Sequence, residues 1–218
     1  MAPFRHAAEF IEKRATMERE MVAECMGQGK SMAAVERRGG VWYGRILSLG
    51  TLPGAATALT ATIAVYMTLV AWGNISDFDT NRQFVRHVLA MDTTFKDEDV
   101  MWRAIESRTI SDIAYVAIIV WEVMAALVLA AATWLWTKSL RRGDFRRARK
   151  TTTFGLMMTL LLFGLGFIAI GGEWFQMWQS SQWNGLEPAG RNVMMAALVL
   201  IVIHLPGVRG NHERSAHR

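Results

Sequence analysis

The sequence predicts an all-α protein: a four-helix transmembrane bundle with a helical extracytoplasmic cap and an N-terminal amphipathic cytoplasmic helix. Three observations predict it. Apolar residues gather into four runs, about 52–73, 110–136, 154–174 and 189–206. Each is close to the ~20 residues a helix needs to cross the hydrocarbon. Two contain long uncharged stretches, 61–73 and 154–172, apolar all round rather than along one stripe. That separates a membrane helix from the amphipathic helix of a soluble bundle. Finally, the charge is segregated between successive connections. The reading divides the chain into a cytoplasmic amphipathic helix and linker (1–45), a four-span membrane domain (46–206) and a cytoplasmic tail (207–218).

The net charge of +5 invites a nucleic-acid reading, but its distribution argues for a membrane. Residues 137–153 carry seven Lys/Arg against Asp144 alone, residues 1–50 carry eight, and the tail beyond Pro206 carries three. The 74–109 segment carries five against seven acids, and 175–190 carries none. With four spans, the positive-inside rule gives one consistent topology: both termini and 137–153 in the cytoplasm, the other two connections outside, in a bacterial inner membrane. The basic connection also suits anionic lipid headgroups, so the expected partners are the bilayer and other membrane subunits, not nucleic acid. The single cysteine, Cys25, falls on the cytoplasmic side, and residues 1–40 show no apolar signal-peptide core.

Taken in order, residues 4–26 place Phe4, Phe10, Ile11, Met17, Met21 and Val22 on one half of a helical wheel. Such a helix lies on a membrane or packs on a partner. A Gly-rich linker follows, then Trp42 and Tyr43 at interfacial positions, and Pro53 opens the first span. Ala56, Thr60 and Ala64 recur every four residues, which lets another helix approach closely. The 74–109 segment reads as two short amphipathic helices, one presenting Phe84, Val85, Val88 and Leu89, the other starting after Asp97 and presenting Val100, Met101, Ala104 and Ile105. Thr109-Ile-Ser-Asp112 has capping-box spacing and marks the second span. The third span is rich in glycine and ends at Glu173; Trp174, Trp178 and Trp183 follow as interfacial aromatics, with Asn184-Gly185 as a turn. No internal repeat relates the halves.

The residues that could carry chemistry are few. Glu122 falls near the middle of the second span, where a carboxyl costs several kcal/mol unless protonated, paired or hydrated; it marks either a ligand or ion site or a bonded core residue. Asp77-Phe-Asp79-Thr-Asn81 begins like a calcium loop, but Arg82 and Val88 occupy the positions that need glycine and glutamate. Capping of the helix that follows accounts for these residues better. His87 with Asp77 or Asp92 falls short of a metal-site pattern, since one histidine with scattered aspartates lacks the ligand set. Glu173 and Arg191, at the same level on consecutive antiparallel helices, are expected to form a structural ion pair. His204 is the one histidine within a span, so haem held by two histidines is disfavoured. HExxH, P-loop, GxSxG and dinucleotide glycine motifs are absent, and neither a cofactor, a metal nor a catalytic group is predicted.

The stretches NISDFDTNRQFVRHVLAMDTTF (74–95), MWRAI (101–105), IIVWE (118–122) and GEWFQMWQSSQWNG (172–185) resemble those of a family of bacterial predicted small integral membrane proteins, a domain of unknown function. The resemblance covers about residues 50–206. It implies four helices in an inner membrane and shared outer-face motifs, supplies no activity, and leaves 1–45 as an extension. Two functional readings remain. One is an accessory or assembly subunit binding other membrane proteins through its small-residue faces, cap and N-terminal helix. The other is a small transporter or ligand-binding protein using Glu122 and the cap. A membrane enzyme is a third and less favoured reading.

Overall fold

The first long helix, α1 (Leu52–Ser76), starts where Thr51 caps it: the Thr51 hydroxyl accepts from the Gly54 amide at 3.3 Å, and Pro53 sits in the first turn where its missing N–H costs nothing. These coordinates are a computed structural model that describes residues 50–206; the predicted N-terminal helix at 4–26 and the tail at 207–218 lie outside the described residues. Ala56, Thr60, Ile63, Ala64 and Met67 form the buried face of α1. Thr60 turns its hydroxyl back onto the Ala56 carbonyl at 2.7 Å, so the face presents a methyl group rather than an unsatisfied donor. This small-residue face packs against Ala125, Ala126 and Leu129 of a second long helix, α3 (Arg108–Arg142). The close approach that the four-residue spacing allows is therefore used inside the chain.

α1 ends at Gly73–Ser76, and one residue later α2 (Phe78–Ala90) begins across the end of the bundle. Asp77 stands at its N-cap, but no side chain caps it; Asn81 instead reaches back to the Asp77 carbonyl, with Nδ2 donating at 3.1 Å. The capping role expected for the Asp77–Asn81 carboxylates is thus not taken up, because Asp79 turns to Arg82 at 3.7 Å. α2 buries Val85 and ends at Met91, which is fully buried in a left-handed conformation with φ 52°. The second cap helix expected after Asp97 shrinks to a single 3-10 turn, Met101–Arg103. Ala104 becomes extended, and the Ile105 amide leaves the local ladder to donate to the Leu89 carbonyl at 2.8 Å.

α3 is 35 residues long, about 52 Å at 1.5 Å per residue. That exceeds the ~30 Å of hydrocarbon, so its ends project beyond the membrane. It begins two residues before the predicted capping box: Ser107 is the N-cap, its hydroxyl accepting from the Ile110 amide at 3.5 Å. Asp112 cannot complete a box because Arg82 and Arg86 of α2 claim its carboxylate at 2.8 and 3.0 Å. Gly143, at φ 74°, closes the helix with its amide on the Ser139 carbonyl.

The third long helix, α4, is α-helical over Arg146–Leu160 and continues with i→i+5 hydrogen bonding over Leu161–Trp174. Gly166 and Gly171, five apart, stack in that register: a Cβ on Gly171 would lie 3.5 Å from the Gly166 carbonyl oxygen. After a 3-10 turn at Met177–Gln179, α5 (Leu186–His204) returns. α1 packs on α3 and α5, α3 on α4, and α4 on α5, which closes a ring of four helices. All four are long and apolar enough to cross a membrane.

Candidate functional site

Under the cap, the ring opens into a cavity of about 440 Å³. Its walls come from all four long helices, and its rim from α2 and the 182–188 segment, with Thr80, Asn81, Gln182 and Asn184 at the mouth. Phe84 and Trp183 close part of the opening. Gly185 makes this possible: a Cβ there would lie 2.8 Å from Phe84 Cζ, so only glycine lets the ring lie against the loop.

Glu122 is among the residues lining the cavity, with 1% of its surface exposed. Its carboxylate receives one hydrogen bond, from Asn74 Nδ2 at 2.7 Å. Asn74 is held in turn by Tyr115, whose hydroxyl donates to the Asn74 carbonyl at 2.6 Å. Across the same cavity the Tyr66 hydroxyl donates to Asn192 Oδ1 at 2.6 Å. Among the described residues no lysine, arginine or histidine lines the space, so none of them neutralises Glu122 there. Below it, toward the basic connection, the core is apolar: Met67, Leu129, Leu156 and Val199 are buried together.

The sequence places Glu122 mid-span; in the structure it lies 14 residues after the start of α3 and 20 before its end. It bonds to Asn74, in the last turn of α1. Sixteen residues separate it from Lys138, about 24 Å along the helix.

The other predicted residues disperse. His87 meets Asp92, Nδ1 to Oδ2 at 2.7 Å, and stacks on Trp183 with ring centres 4.7 Å apart. Asp77 and Asp79 are exposed and join neither of them; among the described residues no three His, Cys, Asp or Glu side chains come together as metal ligands would. Glu173 and Arg191 do not form the expected ion pair. Both are exposed, because Ala189, Asn192 and Ala196 occupy the inward face of α5 and leave Arg191 outside it. Trp174 and Trp178 are exposed at the cap end as interfacial aromatics should be, whereas Trp183 is drawn into the cavity wall. Trp174 and Trp102 instead hold Arg103, whose guanidinium lies 4.7 and 5.6 Å from their ring centres.

Sequence reasoning missed Tyr66, Asn74, Tyr115 and Asn192. They stand in the sequence as isolated polar groups within or beside apolar runs, and nothing in the spacing indicated that three separate helices would bring them to one cavity. The small-residue face of α1, expected to serve partner binding, is occupied by α3.

Residues 54–206 match the family described as predicted small integral membrane protein (DUF2165). No curated protein and no solved structure matches the chain. The matched segment contains the four membrane-length helices, the cap and every residue of the cavity, and the chain belongs to this family of predicted small integral membrane proteins.

Proposed function

We propose that this membrane protein binds a small solute in the cavity beneath its cap. The observation that carries the reading is a buried carboxyl, Glu122, lining a space of about 440 Å³, within the size range of small-molecule sites. A carboxyl in the membrane is costly when ionised, and with one hydrogen bond and no cation beside it among the described residues it supports a ligand site. The apolar plug below favours binding over free passage; transport would need a second conformation that opens the basic end. The accessory-subunit reading has less support, because its small-residue face is already packed on α3. The charge distribution supports a cap facing the extracytoplasmic side and cytoplasmic termini in an inner membrane, so the solute would come from outside.

The test uses the full chain in lipid nanodiscs with three sets of probes: small amines, small carboxylates and neutral polyols. Ala189 lines the cavity and is buried, so Ala189→Trp fills the space. At least one set should raise the melting temperature of the wild type and fail to raise that of Ala189→Trp. If none distinguishes the two proteins, the binding reading is wrong.

A further inference from the structure

The lining of the cavity narrows the ligand class, given that the binding reading holds. Glu122 is the one carboxyl among the described lining residues, and the charge it can carry is negative. The two tyrosine hydroxyls already donate to protein acceptors, Tyr66 to Asn192 and Tyr115 to Asn74. What they leave toward the cavity is oxygen lone pairs, not donors. An anion would meet no positive charge from the described lining; a neutral polyol finds the amides of Asn81, Gln182, Asn184 and Asn192 but leaves an ionised Glu122 uncompensated.

Much of the remaining wall is aromatic, among aliphatic residues such as Val70, Ile118 and Ala189 and the amides at the rim. Phe84 and Phe167 stack with centroids 6.3 Å apart, Phe163 lies 5.5 Å from Phe167, and Trp183 meets Phe84 edge-on at 6.3 Å. With the two tyrosines, these rings surround a space that a carboxylate also lines. Aromatic faces carry negative electrostatic potential and attract alkylated ammonium groups, while their apolar surface replaces the weak hydration of such cations. A small metal cation is served poorly, since it needs several oxygen ligands and Glu122 is the only carboxylate present.

We infer that the cavity binds a small organic ammonium ion, its charge held by Glu122 and its alkyl groups by the aromatic cage of Phe84, Phe163, Phe167 and Trp183. Bound cation and carboxylate neutralise each other below the cap, which removes the cost of keeping Glu122 in the membrane.

The probes are choline and 3,3-dimethylbutan-1-ol, which have the same shape and differ in charge, measured by calorimetry on the full chain in nanodiscs. Choline should bind and its neutral isostere should not. Glu122→Gln should weaken choline by about thirtyfold or more, since it removes one partner of a buried charge pair. Phe167→Leu keeps an apolar wall but removes a ring, and should weaken choline about threefold or more. This variant keeps the test open if Glu122→Gln does not fold. Equal binding of the isostere, or an unchanged choline affinity in Glu122→Gln, would overturn the ammonium assignment while leaving a solute site in place. Binding of neither probe, with amines, carboxylates and polyols also inert, overturns the assignment and the binding reading together.

Discussion

Trp136 and Glu122 lie on the same helix, about four turns apart, and the two ends of the bundle treat their polar atoms in opposite ways. At the basic end, Trp136 is fully buried, stacks on Phe145 at 5.5 Å, and donates from Nε1 to Thr152 Oγ1 at 2.8 Å. Thr152 donates onward to the Ala148 carbonyl at 2.9 Å, so each donor in the chain has a protein acceptor. Small residues draw the helices together there: a Cβ on Gly155 would come within 2.8 Å of Leu129, which is closer than side chains tolerate. At the cap end, bulky aromatics hold the helices apart, and Glu122 has a single amide partner beside open space. The contrast teaches that a bundle of apolar helices becomes a dry anchor or an open pocket according to side-chain size along the seam. Without a hydrophobic drive between helices in lipid, close packing is what seals a seam.

The largest effect that tests this comparison is all-or-none. In a Cys25→Ser background, Thr80→Cys at the cavity mouth should react with an impermeant maleimide in intact cells, and Asp144→Cys at the basic connection should react only after the membrane is opened. The reverse pattern would turn the molecule over and place the cavity on the cytoplasmic side. Next in size, Trp136→Ala should cost about 3–5 kcal/mol, the usual range for emptying a packed aromatic site. Truncating Val70, which borders existing space, should cost far less, and detergent unfolding curves compare the two. Equal losses would mean that the cap end is packed as tightly as the basic end. The smallest effect concerns the latch over the cavity. Asp112→Asn weakens the contacts with Arg82 and Arg86, partly exposed pairs worth under about 1 kcal/mol. Global stability should hardly change, while hydrogen exchange of Phe78–Ala90 quickens. Unchanged exchange there would show that apolar contacts alone hold α2 in place.

Much of the scaffold was legible before any coordinates. The four predicted runs fall within the helices at 52–76, 108–142, 146–174 and, to within two residues, 186–204. The basic ends extend α3 and α4 beyond the hydrocarbon run, since Lys138–Arg142 and Arg146–Lys150 are helical without being apolar. The first cap helix was legible from its apolar stripe. The second was not, because Val100–Ile105 follows helical spacing while a tertiary hydrogen bond from Ile105 to Leu89 pulls its end away. Asp112 illustrates the same limit: its capping-box position is a local signal, and two arginines from another helix override it.

The sequence by itself determined that this chain enters a membrane, how many times it can cross, and which connections are basic. Those properties depend on runs of residues and their solvation, which neighbours along the chain settle. Only the tertiary structure decided that Glu122 lines a cavity near the cap, that Tyr66, Asn74, Tyr115 and Asn192 surround it, and that Glu173 and Arg191 stay apart. Helix rotation and depth set those outcomes. A shift of one residue turns a helix face by about 100°. Rotation is set by how glycines, alanines and aromatic rings on different helices fit together, and no single stretch of sequence contains that information.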